Sequence, residues 1–382
     1  MSIDVITAGE IAADQDVVAP RTSVRTEPSS TESGPPHTRR LLSKQTAEQR
    51  FEVVGCWIAA LALAWLICGR LMPWHGVLIY TVVTVVVGIG LLAVITALDS
   101  GAPEVIDRIV TTVVTLAALL IGVAVLSTVL FIFYNGYKPL FHLNTYFDDM
   151  AGVGPRDGLN KGGIAHAIVG SLIEVGIAIL VAIPLGIGTA VYMTEIGGKF
   201  ARIVRTVVEA MTALPSIVAG LFIYTTLIVG LGVPRSGIAA AAALAVMMLP
   251  IIARASDVVL RVVPGNLREA SLALGASRWR TVWHIVLPTA RPGLATAVIL
   301  GVARGVGETS PVLLTSGAAG FMVTNPTTGV MNSLPLYIFS TVRSGEPLLI
   351  ERAYGAAAIL LGLVLILFVT ARLLARPRKG TR

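Results

Sequence analysis

The chain has 382 residues, 55% of them hydrophobic and only 13% charged, with a mean hydropathy of +0.81. That composition excludes an ordinary globular domain and points to an integral membrane protein. The net charge of +7 could suit nucleic acid, but the basic residues cluster between long apolar runs, as membrane topology requires, so no nucleic-acid partner is expected.

Residues 1–48 are rich in Ser, Thr, Pro, Glu and Arg with no sustained apolar face, the composition of a disordered tail. The tail lacks the short apolar core and small-residue cleavage site of a signal peptide, so the first span is expected to be retained. With about 20 apolar residues needed per crossing, the pattern gives eight spans near 51–69, 77–98, 107–134, 164–195, 203–230, 237–255, 290–316 and 350–374. Lys199, Arg202 and Arg205 follow the fourth span, and Arg372, Arg376, Arg378 and Lys379 follow the eighth. By the positive-inside rule these regions and the basic stretch 261–292 share one side, which puts both termini in the cytoplasm of a multi-pass cell-membrane protein. The polar, Gly-rich segment 135–163 is then an extracytoplasmic loop, and 377–382 a basic cytoplasmic tail.

The first three spans, within 49–134, carry no deep ionisable residue and read as accessory helices. Cys56 and Cys68 lie about 18 Å apart along one helix at about 1.5 Å per residue, too far to bridge, and read as buried small residues. From Gly162 the character changes: Pro184, Pro215 and Pro250 each stand inside an apolar run, and such breaks are tolerated where neighbouring helices or a cavity satisfy the freed backbone. Five such spans do not enclose a polar pathway alone, so a partner with a similar core is expected.

Arg304 and Glu308, in GVARGVGETSP, are four apart and share a helix face. Arg304 lies about 21 Å into its span at about 1.5 Å per residue, and an arginine at that depth is costly unless it is paired or functional. A guanidinium binds phosphate or carboxylate oxygens through a planar fork, and a neighbouring carboxylate weakens the hold so that the anion can leave. Gly301, Gly305 and Gly307 are expected to keep the wall thin there. Arg254 and Asp257 form a second candidate pair, read equally as a pathway element or a local salt bridge, and Glu174 is a buried acid that could meet Arg304.

The stretch 261–292 reads as two short helices around a turn. Asn266 and Glu269 have capping-box spacing, Leu267, Ala270 and Leu274 share a face, Gly275 is a stop, Ser277 can cap again, and Pro288 is expected to end the second helix. Glu269-Ala270-Ser271, three residues, Gly275, nine residues, then Ile285-Val286-Leu287-Pro288 resembles the EAA loop of ABC importer permeases, with Ser271 in place of an alanine. The resemblance implies a coupling helix that docks a cytoplasmic ATPase through Glu269, Ala270, Gly275, Ile285, Leu287 and Pro288.

GGIAHAIVGSL, TALPSIVAGLFIY, MLPIIARASDVVLRVVPGNLREASLALGASRWRT and ARGVGETSPVLLT together resemble the PstA-type permeases of high-affinity phosphate importers, over about 162–374. That resemblance implies a MetI-like permease domain over 164–376. It also implies a role in transport for Arg254, Arg304 and Glu308; Asp257 joins the pathway set as the neighbour of Arg254. The implied partners are a PstC-type permease forming a heterodimer, two PstB-type ATP-binding subunits, an extracytoplasmic PstS-type phosphate-binding protein, inorganic phosphate and the lipid bilayer. The tail and the spans before residue 135 exceed the usual six-span pattern.

No G-x-x-x-x-G-K-[ST] loop is present, the five His residues are scattered, and no nucleophile–base spacing occurs, so an enzyme, a metal site and a cofactor are not expected. The fold class is an all-α polytopic transmembrane bundle of eight spans with a cytoplasmic coupling helix. The function is the permease subunit of an ATP-driven phosphate importer. Import of sulfate or molybdate, or a non-transporting membrane scaffold or sensor, are the alternatives.

Overall fold

A computed structural model describes residues 47–72 and 76–374. The expected tails, 1–46 of the first and all of 377–382, lie outside these residues. Every regular element among the described residues is helical. The described residues divide into two compact units, one up to Thr115 and one from Leu116.

In the first unit, α1 (Ala47–Leu66) ends in a π turn and is followed by α2 (Val77–Asp99). Cys56, Ala60 and Ala64, four residues apart and buried, form a small-residue stripe that lets helices approach closely. The Trp57 ring lies where a side chain at Gly88 would stand, and the Tyr80 hydroxyl donates to the Leu61 carbonyl at 3.0 Å, closing the α1–α2 hairpin. Both cysteines are free and buried. The next helix, α3 (Ala102–Leu140), begins in this unit and ends in the second, where Gly136 rests directly on the Tyr354 backbone.

The second unit continues with α4 (Asn144–Phe147), α5 (Ala165–Val191), α6 (Gly198–Thr212), α7 (Ser216–Ile223, extended by a π turn to Gly230) and α8 (Gly237–Val262). Then come α9 (Gly265–Ala273), α10 (Arg278–Thr281), α11 (Leu287–Val306), α12 (Ser310–Thr315), α13 (Leu334–Val342) and α14 (Pro347–Leu374). Its core is the α5–α8 seam, where Ala178, Ala182, Ala240, Leu244, Met248 and Ile252 are essentially inaccessible. Alanines and glycines dominate because backbone proximity, rather than a hydrophobic drive, holds helices together in lipid. Gly301 and Gly305 serve the same end: a side chain at either would collide with Ile252 or Met248, so they seat α11 on α8 rather than thinning a pathway wall.

Seven helices among the described residues are long and apolar enough to cross a membrane, and one further pair, Gly198–Thr212 with Ser216–Gly230, is bent by 108°. The expected continuous span at 203–230 is therefore broken. Pro215 removes a backbone donor and drives Leu214 out of the helical region, while Lys199, Arg202 and Glu209 make 198–212 too polar to span. The chain still crosses here. Arg268, at the loop after α8, pairs with Glu195 at 2.9 Å, and Arg205 of α6 reaches Asp257 at 3.3 Å, so both ends of that exchange lie beside α9. At the opposite end the Ser236 N–H donates to the Thr315 carbonyl at 3.1 Å, and the Met150 N–H to that of Gly320 at 2.8 Å. The α9 end and this far end alternate along the second unit, and α6 with α7 carries the chain between them.

Pro184 and Pro250 stand inside their spans as expected, and α5 and α8 run through both. Pro288 does not end the second loop helix: α10 passes through a π turn at Val282–Val286 directly into α11. The expected span 290–316 accordingly begins at Arg278, stops at Val306, and resumes as the short α12.

Candidate functional site

Arg304 stands in the last turn of α11, before the Gly307–Thr309 break. Its Nε lies 2.9 Å from Glu308 Oε1 in an ion pair; the guanidinium side chain is 55% exposed and the carboxylate 11%. The i,i+4 spacing survives because the helix unwinds only after Val306, with the Glu308 N–H still bonded to the Gly305 carbonyl. Arg304 faces a cavity of about 350 Å³ walled by Met211, Thr212, Leu214, Ala219, Met247 and Ile251. No other lining side chain is charged. One nitrogen is tied to a carboxylate, while the terminal amino groups of the fork have no partner among the described residues. That arrangement can accept and release an oxyanion.

The second expected pair does not form. Asp257 is nearly buried and binds Arg261 at 2.9 Å and Arg205 at 3.3 Å, whereas Arg254 is exposed and has no ion-pair partner among the described residues. Arg261 lies one full turn ahead of Asp257 and Arg205 arrives from α6, so the acid is saturated by two other cations. Glu174 does not meet Arg304. It is fully buried, with Oε1 accepting from the Ser316 hydroxyl at 2.6 Å, so it ties α5 to the end of α12.

The 261–292 loop is a protruding helix–turn–helix. Gly275 adopts φ +81°, a backbone that a side chain would strain, and Ser277 caps α10 by accepting from the Arg280 N–H at 3.3 Å. The expected Asn266 cap does not occur: the N-cap is Pro264, two residues earlier, with no side-chain cap, and Glu269 is exposed without an ion-pair partner among the described residues. Ala270 and Leu274 are exposed at the tip, Leu274 by 89%. Leu287 packs against the cluster of Leu260, Val286 and Leu294 beneath the loop, Ile285 is half-buried, and Pro288 is exposed. Glu269, Ala270 and Gly275 thus form an outward surface, and Ile285 and Leu287 belong to its support.

Three structural contacts had no local signal. Arg268 is held by Glu195 and by the Leu260 and Val263 carbonyls, each at 2.8 Å, and this pins α9 to α5 and α8. Ser271, the departure from the EAA pattern, is buried and bonds Thr281 at 2.9 Å across the turn. Arg352 is 5% exposed and donates to the carbonyls of Asp157, Gly158 and Lys161 and to the Met150 sulfur, gripping the far-end loop. Nearby, Asp149 accepts from the Ala151 N–H at 3.0 Å and the Met322 N–H at 2.9 Å, and these bonds hold its carboxyl below the ordinary carboxylate range. Among the described residues no cluster of His, Cys, Asp or Glu could hold a metal ion.

Residues 182–378 match the family model of the binding-protein-dependent transport system inner membrane component. The phosphate transport system permease protein PstA 1 of Mycobacterium tuberculosis (strain CDC 1551 / Oshkosh) is 41% identical over 214 residues, 56% of this chain and 70% of that one. PstA of Haemophilus influenzae is 37% identical over 57% of this chain and 78% of its own, and PstA of Pasteurella multocida 33% over 67% and 90%. A chain from the crystal structure of a bacterial ABC transporter involved in the import of the acidic polysaccharide alginate aligns over 69% of this chain and 96% of its own, at 17% identity and a TM-score of 0.46. With a family match over half its length and PstA relatives 33–41% identical to it, the chain belongs to the binding-protein-dependent transport permeases, and within them to the PstA-type permease subunits of ABC importers.

Proposed function

We propose that the chain forms half of the membrane pathway of an ATP-driven phosphate importer, with Arg304 as the anion-contacting group. The observation that carries this reading is the Arg304 guanidinium, tied through one nitrogen to Glu308 and otherwise open to a cavity with no other charge. Phosphate meets the terminal amino groups of the fork in the position a carboxylate would take. Glu308 compensates Arg304 when the pathway is empty and lowers its hold when occupied. The wall opposite Arg304 is supplied by a related permease subunit. Glu269, Ala270 and Gly275 present the docking surface to one of two ATP-hydrolysing partner subunits, supported by Ile285, Leu287 and Pro288, and an extracytoplasmic phosphate-binding protein delivers the substrate at the opposite end. Arg254 and Asp257 stand at the α9 end, where Asp257 anchors α6 and Arg254 remains open to a passing anion.

The test is uptake of labelled phosphate and of labelled sulfate by proteoliposomes holding the assembled complex and its binding protein. Saturable, ATP-dependent phosphate uptake supports the reading. Uptake of sulfate in its place assigns another oxyanion, and uptake of neither, with partners bound, assigns a scaffold.

A further inference from the structure

Helix α6 has three faces. Ala201 and Val208 are buried against the protein, and on their side Arg205 donates to Asp257 Oδ1 and to the Met193 carbonyl, each at 3.3 Å. A second face carries Phe200, Ile203 and Val207, exposed by 63%, 59% and 51%. At about 100° per residue, from about 3.6 residues per turn, these side chains fall in a single arc. The third face carries Lys199, Arg202 and Glu209, all exposed, and neither cation has an ion-pair partner among the described residues.

The geometry says where such a helix lies. It is bent 108° from the apolar segment Ser216–Gly230 that follows it and takes the chain toward the far end, so α6 runs across that direction, at the end occupied by α9. An amphipathic helix in that attitude lies in the boundary between acyl chains and headgroups. There its apolar arc faces hydrocarbon, and free cations beside it face phosphates.

We propose that α6 is an interfacial helix that binds anionic lipid, with Phe200, Ile203 and Val207 in the acyl boundary and Lys199 and Arg202 on headgroup phosphates. The helix holds Asp257 through Arg205, and it ends at Met211 and Thr212 on the wall of the Arg304 cavity. Its seating in lipid is therefore mechanically continuous with both. The proposal stands on the membrane fold and does not depend on which substrate is carried.

The experiment places a small environment-sensitive fluorophore at Ile203→Cys, Val207→Cys or, as the polar-face control, Thr206→Cys. The full chain, co-purified with its partner subunits, is reconstituted in phosphatidylcholine vesicles containing a small, equal fraction of brominated phosphatidylglycerol or brominated phosphatidylcholine; the buried native cysteines give the background. Brominated phosphatidylglycerol is expected to quench the probes at 203 and 207 several-fold more than brominated phosphatidylcholine, with weaker quenching by both at 206. Lys199→Gln with Arg202→Gln should bring the two lipids to parity while leaving the emission wavelength, and so the depth, unchanged. Added inorganic phosphate should leave the preference intact. Equal quenching by the two lipids in the unsubstituted background overturns the proposal, as does its loss on adding phosphate, which would assign the cations to the free anion. Absence of quenching by either lipid also overturns it and means that a protein partner covers the face.

Discussion

Two arginines on the spans of the second unit, Arg304 and Arg352, differ in what surrounds them. Arg352 is 5% exposed and spends its donors on three backbone carbonyls and a thioether. Arg304 has a single carboxylate, and more than half of its side chain is open to a cavity. Both satisfy the rule that a cation in a membrane protein needs partners. The difference lies in surplus: Arg352 is saturated by its own chain and acts as a latch, whereas Arg304 retains donors for something that comes and goes.

The sharpest way to break this contrast is to neutralise each in turn. Arg304→Gln keeps length but removes the charged fork; two charge-assisted hydrogen bonds at about 1.5–3 kcal/mol each make the expected loss of phosphate uptake more than about 100-fold. Thermal stability and partner assembly should be unchanged, because the cavity already exposes the group. Arg304→Lys, which keeps a point charge and loses the fork, should retain partial uptake. Uptake like wild type for Arg304→Gln would reduce Arg304 to an ion-pair partner of Glu308. Arg352→Met should do the reverse. Stranding carbonyls of the far-end loop costs about 1–3 kcal/mol for a buried group left unpaired; with water reaching part of the loop, a net destabilisation of about 2 kcal/mol is expected. It is read as a lower unfolding midpoint with uptake per folded molecule preserved. Lost uptake at full stability would erase the distinction between the two arginines.

The same contrast shows what was legible in the sequence. Arg304 and Glu308 were readable because their pairing is local, one helical turn, and the helix persists until Val306. Arg352 was not, because its acceptors are backbone atoms of a loop nearly two hundred residues earlier, and carbonyls carry no sequence signature. Asp257 was read with Arg254, three residues before it. Its partners are Arg261, one turn beyond it, and Arg205, which only the α6–α8 packing brings there. Prolines were visible but not their outcomes: Pro184 and Pro250 sit inside continuous helices, while Pro215 marks a 108° bend. What separates them is the polar character of 198–212, which has no place at membrane depth. The helical class, the crossing segments and Gly275 as the loop's turn were all readable, since apolar run length and the need for φ > 0 are properties of the chain itself.

A smaller effect sharpens the account of Arg304 as an open site. Glu308→Gln removes the charge that competes with substrate. Because the Arg304 side chain is half exposed, solvent screens the pair, and its worth is no more than about 1 kcal/mol. Phosphate should therefore be held at most about fivefold more tightly and released correspondingly more slowly. Single-turnover release from proteoliposomes checks this; faster release would mean that Glu308 orients the fork rather than competing for it.

The smallest expected effect concerns the far end, where Asp149 acts beside the Arg352 latch. Its carboxylate accepts from the Ala151 and Met322 amides, which ties the turn after α4 to the segment following α12. Those bonds depress its folded-state pKa below the ordinary value of about 3.9. For a depressed acid, the unfolded state binds protons first as pH falls. The stabilisation is thus fully present above the unfolded pKa and is lost only as pH falls through the lower, folded one. Nothing should change between pH 8 and about pH 5; loosening should begin only below about pH 4. Hydrogen-exchange protection of the Met322 amide reads this directly. Asp149→Asn, which cannot carry the charge, should lower that protection at neutral pH and make it independent of pH in the acid range, while the α9 end and uptake stay as in wild type. Protection lost already between pH 7 and pH 5 in the unsubstituted chain would mean that another titrating group controls the far-end closure and that Asp149 merely follows it.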